Sequence, residues 1–387
     1  MSLAGRVKVA AFSGVASVER ILRRQANDLS GLKNFLLLQY PTALGPAVHA
    51  TPLVAALRTA LPGCRIGVAA SGLAFEVFRN HPEVDFLLQT SSPLKDLRSA
   101  VTSLRGQKLF QGESFAVLTT SGNERTLIGI AGLLSGAVVR VGFTEVPELY
   151  RVALKVDAGL SLIDNNLRIV GELGHEVQHF EPQIFLTQKD VDSARQILVE
   201  HGLLDGRPVA IFVTQNSGGQ RTGWHRNRFV QVIRHAAENL GCAVVYVGTA
   251  GDLAAIDALQ QAAGGIGTSI AGKTSVTQLA AVLAISDVMV TLDTGTLHVG
   301  RAMGVPMVVL GPSWQKPLEW LPLDIANARI LRGDDLGRIP ENYQLDEVTA
   351  ASVIAALEEL LRVYPPSSNG RSARLERSLA RPAPEKN

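Results

Sequence analysis

The chain has 387 residues, of which 46% are hydrophobic and 19% are charged, and its formal net charge is +2. This composition is that of a folded chain with room for two domains, and it excludes an intrinsically disordered protein. A charge so close to zero produces no overall field that would attract nucleic acid, so we expect no nucleic-acid partner. The two cysteines, Cys64 and Cys242, show neither a disulfide framework nor a metal-ligand spacing, which is typical of a reducing compartment.

The two ends of the chain differ in composition from the rest. Residues 1–30 are interpreted as an N-terminal extension, with helical spacing in 15–28. Residues 364–387 are rich in Arg, Pro and Ser and are predicted to form a disordered, solvated tail, with a tether to a membrane or nucleic acid as the less favoured reading. No apolar run is long enough to cross a membrane, and the start does not have a signal-peptide profile, so a cytoplasmic location is expected.

Apolar runs of strand length alternate with amphipathic segments in residues 31–183, as in a parallel sheet covered by helices. Strands are predicted at 34–40, 64–70, 84–89, 115–121 and 138–143, and helices at 47–63, 72–82 and 125–136.

The same alternation restarts near Pro182 and continues through 184–345. Strands are predicted at 208–214, 243–248, 287–292 and 306–312, and helices at 190–202, 227–241, 253–265, 275–286 and 298–304. A long C-terminal helix is predicted over 346–363. The pattern therefore indicates an α/β protein with two Rossmann-like domains, and a ligand is expected in the cleft between them, at the carboxyl ends of the strands.

The stretch "TLDTGTLHVG" joins a buried strand to a helix. Asp293, Thr294 and Gly295 come at the carboxyl end of the strand, and His298 lies in the first helical turn. Free N–H groups at a helix start favour an anion such as a phosphate. The alternative is that Asp293 or Thr294 only caps the helix while His298 packs, since Asp and Thr are common caps.

A second polar turn, "QNSGGQRTGWH", follows the strand at 208–214. Its backbone N–H groups, hydroxyls and Arg221 could hold an oxyanion. The alternative is a hydrophilic surface loop, and Trp224 is interpreted as a core anchor.

The segment "GTSIAGKT", Gly267 to Thr274, matches the phosphate-loop pattern of NTPases. Such a loop needs a strand directly before its first glycine, whereas the preceding residues predict the end of a helix. The NTPase interpretation is therefore disfavoured.

The turn "ALGPAVHAT" lies between the first strand and the first helix. Pro46 suits a helix start because its missing N–H costs nothing there. His49, one turn later, either faces the ligand or is a partly buried helix histidine.

Three segments together resemble glycosyltransferase family nine, the bacterial heptosyltransferases of lipopolysaccharide assembly: residues 36–71, "LIDNNLRIVGELG", and above all the block from Gly272 to Ser313. The resemblance covers about residues 34–345. It implies the glycosyltransferase-B fold, two Rossmann-like domains with a C-terminal helix that crosses back to the first.

The resemblance also implies roles for individual residues. The diphosphate and sugar of a nucleotide-sugar donor would be held by Asp293, Thr294, Gly295 and His298. The donor's phosphate and sugar loop would contain Asn216, Ser217, Gly218 and Thr222, with Arg221 beside it. Lys273, Thr274 and Gly248 would border the nucleoside, while the acceptor-side turn would contain Gly45, Pro46 and Thr51.

Two positions depart from the family pattern. The Asp that resembles the general base of the family is Pro46 here, and the Lys expected before the Trp of the donor loop is Thr222, so Arg221 would have to supply the charge. General-base help is worth about 10²–10⁴-fold in rate, and His49 is the nearest titratable substitute.

These observations predict a glycosyltransferase that moves a heptose-like sugar from an ADP-heptose-like donor to a glycan or lipid-linked acceptor, with inversion and without a metal or cofactor. Peripheral contact with the inner membrane is expected. The alternatives are a donor-binding homologue that no longer transfers and, less favoured, an NTPase.

Overall fold

The computed structural model describes residues 12–14, 29, 31–106, 109–216, 223–323, 325–338 and 343–380. It divides into two compact units, Met1–Gln183 with Pro382–Asn387 and Ile184–Arg381. Each unit is built on a six-stranded parallel sheet with helices between the strands. This architecture confirms the predicted α/β class with two Rossmann-like domains.

The first unit has the strand order β3-β2-β1-β4-β5-β6, in which β1 and β4 are neighbours at the point where the order reverses. Its strands are β1 Asn34–Gln39, β2 Arg65–Ala70, β3 Phe86–Gln89, β4 Ala116–Thr119, β5 Val139–Phe143 and β6 Val152–Leu154. Its helices are α1 Leu44–His49, α2 Pro52–Ala60, α3 Gly72–Phe78, α4 Leu97–Gly106, α5 Thr126–Leu134 and α6 Leu162–Glu172. Every residue of β1 and β4 is buried, as expected for central strands of a sheet covered on both faces.

The second unit repeats this topology as β12-β11-β10-β7-β8-β9, with β7 and β10 as the central neighbours. Its strands are β7 Val209–Val213, β8 Ala243–Tyr246, β9 Thr268–Ser269, β10 Val288–Leu292, β11 Met307–Leu310 and β12 Ala328–Leu331. Its helices are α7 Gln188–Glu200, α8 Arg226–Arg234, α9 Leu253–Ala262, α10 Val276–Ile285, α11 Gly295–Met303, α12 Pro317–Trp320, α13 Ala350–Val363 and α14 Ser368–Ser378.

The long C-terminal helix α13 packs into the core of the second unit through Val353, Leu357 and Leu360. Within this unit the helix contacts α8, β10, β11 and β12. Trp224 is buried in the same core and donates from its indole Nε1 to the carbonyl of Val348 at 2.8 Å, as expected of a core anchor.

The prediction that residues 364–387 are disordered is wrong for Ser368–Ser378, which form α14. Ser367 caps this helix by accepting a hydrogen bond from the N–H of Gly370 at 3.0 Å. The helix packs against α10 and α11, and Arg374 donates to the carbonyls of Ala284 and Ser286 at the end of α10. Arg374 therefore binds carbonyl groups at a helix C-terminus, where positive charge is favoured. The predicted helix at 15–28 lies outside the described residues.

Candidate functional site

In the described part of the second unit, the predicted donor residues lie at the carboxyl ends of the sheet strands. The parallel registers Thr291↔Val213 and Phe212↔Tyr246 align the carboxyl ends of β10, β7 and β8. Asp293, Asn216 and Gly248 each follow one of these strands by one to three residues. The structure thus brings together turns that are far apart in sequence. They lie at the carboxyl ends of the strands, where open α/β sheets bind ligands.

The turn after β10 leads directly into α11. Thr294 is the N-cap residue, with extended backbone angles of φ −143° and ψ 172°, but its side chain makes no capping hydrogen bond. The carboxylate of Asp293 and the hydroxyl of Thr294 are buried and have no hydrogen-bond partner among the described residues. Side-chain capping by Thr294 is therefore not supported, and this turn buries polar atoms whose hydrogen bonds are not filled by the described residues, next to the N–H groups of the first helical turn.

Two glycines determine how closely α11 approaches the sheet. A Cβ at Gly300 would lie 2.3 Å from Sδ of Met289 in β10, so a larger residue there would displace the Met289 side chain. Gly304 ends the helix with φ +70°, and the N–H of Val305 bonds back to the carbonyl of Gly300 at 3.1 Å. This fit holds the start of α11 at the end of β10, and it explains the glycines of "HVGRAMGVP".

Burial dominates the electrostatics at this turn. The carboxyl of Asp293 is 1% exposed, and burial, aided by the nearby charge of Glu319, raises its pKa to about 7. Burial, with a smaller contribution from Arg301, lowers the pKa of His298 to about 3. His298 is therefore neutral at pH 7, and its Nε2 lies 3.9 Å from Oδ1 of Asp293 without forming a charged pair.

The sequence interpretation missed two residues that act on this turn, one near His298 and one near Asp293. The ring of Trp320 lies 5.7 Å from that of His298, between centroids, and Glu319 acts on Asp293. Both belong to α12, a four-residue helix that starts at Pro317. The "KPLEW" segment contains the only local signal, a proline at a helix start, and that signal says nothing of a ligand.

The turns after β8 and β9 contact each other. The N–H of Gly272 donates to the carbonyl of Gly248 at 3.0 Å, and a Cβ at Gly248 would lie 2.9 Å from Oδ2 of Asp252. Nζ of Lys273 lies 3.0 Å from Nε2 of His201. Strand β9 falls inside the "GTSIAGKT" segment rather than before it, so the chain does not form the strand-loop-helix order of a phosphate loop.

Asn216 lines a pocket of about 280 Å³ at the end of β7. Gln215, Trp224, Arg226 and Gln344 contribute polar or aromatic groups to the same pocket. The other predicted residues of this loop, Ser217, Gly218, Arg221 and Thr222, lie outside the described residues.

The predicted acceptor-side turn of the first unit follows β1. Gly45 is buried and Pro46 half-buried in the first turn of α1, where a missing N–H costs no helical hydrogen bond. Thr51 is buried, donates to the carbonyl of Val48 at 2.8 Å and accepts from the N–H of Gln183 at 3.1 Å.

The suggested base, His49, is 1% exposed, so an acceptor hydroxyl does not reach its ring in this conformation. The buried side chain of Asn166 donates to the carbonyl of His49 at 3.0 Å and accepts from the N–H of Ser121 at 2.8 Å. His49 is therefore a fully buried helix histidine, closer to the alternative interpretation than to a base that faces the ligand.

Comparison with known proteins decides the family. The profile of glycosyltransferase family 9 (heptosyltransferase) matches residues 134–333, which is just over half of the chain and includes β10 and α11. The chain belongs to glycosyltransferase family 9. This family 9 protein is accordingly a glycosyltransferase, as the sequence predicts.

Solved structures similar to this family 9 protein include three glycosyltransferases. A family 9 glycosyl transferase from Veillonella parvula has a TM-score of 0.77 and 20% identity, covering 87% of this chain and 99% of its own. ADP-heptose lps heptosyltransferase II of E. coli has a TM-score of 0.69 and 20% identity, covering 85% and 98%. E. coli heptosyltransferase WaaC with ADP has a TM-score of 0.60 and 16% identity, covering 85% and 99%. The likeness shows the predicted glycosyltransferase-B fold.

No curated protein sequence matches the chain. Within the described residues, no group of three or more His, Cys, Asp or Glu side chains could hold a metal ion. No helix in the described ranges is long and apolar enough to span a bilayer.

Proposed function

We propose that this glycosyltransferase moves a heptose-like sugar from an ADP-heptose-like donor to a hydroxyl of a lipopolysaccharide precursor or a related glycoconjugate. The observation that carries the proposal is the start of α11, where an uncapped helix N-terminus adjoins the buried carboxylate of Asp293. Burying a carboxyl group without hydrogen bonds is costly, so such a group is expected where a ligand completes its bonding.

The two kinds of group at this turn suit the two parts of a nucleotide-diphospho-sugar. The N–H groups of Gly295 and Thr296 and the helix dipole would bind the diphosphate and stabilise the charge that builds on it as it leaves. The carboxylate of Asp293 would accept hydrogen bonds from sugar hydroxyls, and the neutral ring of His298 would accept one or donate one. Lys273 and Arg221 would neutralise further phosphate charge, so the transfer is proposed to need no metal.

The donor class is supported by the relatives. Two of the E. coli proteins with this fold are described as an ADP-heptose lps heptosyltransferase and as a heptosyltransferase with ADP. The proposed stereochemical course is inversion, in which the acceptor oxygen attacks the anomeric carbon opposite the diphosphate. A cytoplasmic location with peripheral contact to the inner membrane belongs to the same proposal and is checked by cell fractionation.

The experiment is transfer from a panel of ADP-, UDP- and GDP-sugars, including ADP-heptose, to lipopolysaccharide that lacks core heptose, with release of the nucleoside diphosphate as the readout. We expect turnover with ADP-heptose that persists in EDTA and is abolished by Asp293→Asn. The exposed Asp334→Asn is the matched control and retains the wild-type rate. Donor binding without turnover by any pair would favour a homologue that no longer transfers, and absence of donor binding would contradict the proposal.

A further inference from the structure

The first unit contains a second turn beside Pro46 that the sequence interpretation did not use. Strands β1 and β4 are neighbours at the reversal point of the first sheet, so the loops that follow them lie at the position where such sheets bind ligands. The two loops touch, because a Cβ at Gly122 would lie 2.7 Å from Cβ of Pro46. The loop after β1 contains no acidic residue, whereas the loop after β4 contains one, Glu124.

The carboxylate of Glu124 is held close to this contact. Its Oε1 accepts a hydrogen bond from the N–H of Gly122 at 2.8 Å, and the residue is half-buried rather than sealed. Gly122 adopts φ +86°, a conformation that favours glycine and that turns its N–H toward the carboxylate. The carbonyl of Glu124 accepts from the N–H of Glu145 at 2.6 Å, which anchors the backbone of the turn.

Two other acidic residues of this unit, Glu145 and Asp96, already accept hydrogen bonds near the starts of helices. The carboxylate of Glu145 accepts from the N–H and hydroxyl of Thr126 at 3.1 and 3.2 Å and so supports the start of α5. Asp96 follows β3, the outermost strand, and accepts from the N–H of Ser99 at 2.9 Å. Glu124 is therefore the carboxylate that combines solvent access with a place at the reversal point, whereas His49 nearby is buried.

We propose that Glu124 is the general base of the transfer. It supplies the carboxylate that position 46 lacks, because that residue is Pro46 in this chain. This inference rests on the proposed function. The Glu124 carboxylate accepts the proton of the acceptor hydroxyl while the acceptor oxygen bonds to the anomeric carbon. The bond from that carbon to the diphosphate oxygen breaks, and its electron pair leaves with the nucleoside diphosphate. The products are the glycosylated acceptor, the nucleoside diphosphate and protonated Glu124, so atoms and charges balance.

The test measures kcat, KM and ADP binding for four proteins in the transfer assay above: wild type, Glu124→Gln, Glu145→Gln and Pro46→Asp combined with Glu124→Gln. We expect Glu124→Gln to lower kcat by about 10²–10⁴-fold with ADP affinity within about threefold of wild type. Glu145→Gln is the matched control: it removes support from α5 and lowers the unfolding temperature, but leaves kcat within about threefold. Adding Pro46→Asp restores a carboxylate at the neighbouring position, where a helix N-terminus favours negative charge, and should recover at least about tenfold in kcat.

A Glu124→Gln protein that keeps the wild-type kcat overturns the assignment. If this variant does not fold, as judged by circular dichroism, Glu124→Asp retains the charge on a shorter side chain and should lower kcat while sparing ADP affinity. An unchanged kcat in that variant also overturns it. Absence of transfer by the wild type is a different result, because it contradicts the proposed function itself.

Discussion

Arg371 in α14 forms a two-point pair with Asp287, the residue directly before β10. Nε of Arg371 donates to Oδ1 of Asp287 at 2.9 Å, and Nη2 donates to Oδ2. The same Oδ2 accepts the N–H of Val209, the first residue of β7, at 2.7 Å. One buried carboxylate thus joins the C-terminal helix to both central strands of the second sheet.

Removing the arginine should destabilise the second unit. Arg371→Ala leaves the carboxylate of Asp287, which is 2% exposed, without its counter-charge, and breaking a buried pair in this way costs about 3 kcal/mol. We expect a correspondingly lower midpoint in urea unfolding. Arg362→Ala, at an exposed arginine of α13, is the control and should change the free energy of unfolding by less than about 0.5 kcal/mol. Equal effects of the two substitutions would show that the pair adds no stability.

The raised pKa of Asp293 predicts a stability that depends on pH. A carboxyl whose pKa rises from 3.8 unfolded to about 7 folded binds its proton more tightly in the folded state, so this group costs stability as the pH rises from 4 to 7. Asp293→Asn removes that cost. We expect the variant to gain stability relative to the wild type between pH 4 and pH 8 while losing donor affinity.

Thermal unfolding at several pH values, with calorimetric titration of ADP-heptose, measures both effects. His298, whose pKa is lowered to about 3, acts in the opposite direction between pH 3 and 6.5, so the difference between variant and wild type is the informative quantity. A difference that does not change with pH would contradict the burial of a titrating carboxyl.

Asn166 should be a positioning residue of the first unit rather than a ligand. Its amide joins the backbone of His49 to that of Ser121, and both groups are buried. Asn166→Ala leaves a buried donor and a buried acceptor without partners, at a cost of about 1–3 kcal/mol each. Asn166→Asp keeps only the acceptor and should be intermediate at neutral pH. Urea unfolding measures whether stability falls from the wild type through Asn166→Asp to Asn166→Ala. An Asn166→Ala protein as stable as the wild type would contradict the positioning role.

Lys273 should not support ATP hydrolysis, because β9 interrupts the phosphate-loop pattern. We expect no magnesium-dependent release of phosphate from ATP by the wild type. Lys273→Ala should instead weaken ADP binding by less than about tenfold, because only one exposed charge is lost. Hydrolysis of ATP that disappears in Lys273→Ala would restore the NTPase interpretation.

The sequence predicted the sheets well because strand length, helix spacing and terminating glycines are local signals. The short strands β6, β9 and β12 were missed, since three or four residues, and only two in β9, give no periodicity. Helix α14 was not predicted, because a charged segment flanked by prolines resembles a disordered tail. The helix is held in place by Arg371 and Arg374, whose partners are about 85–90 positions away in sequence. The place of Glu124 beside Pro46 depends on the pairing of β1 with β4, which no sequence spacing reveals.

A crystal structure of the protein with ADP-heptose bound tests the donor site most directly. We expect the diphosphate at the N–H groups of Gly295 and Thr296, with sugar hydroxyls on Asp293. A donor bound elsewhere, with the Asp293 turn unchanged and empty, would contradict this expectation.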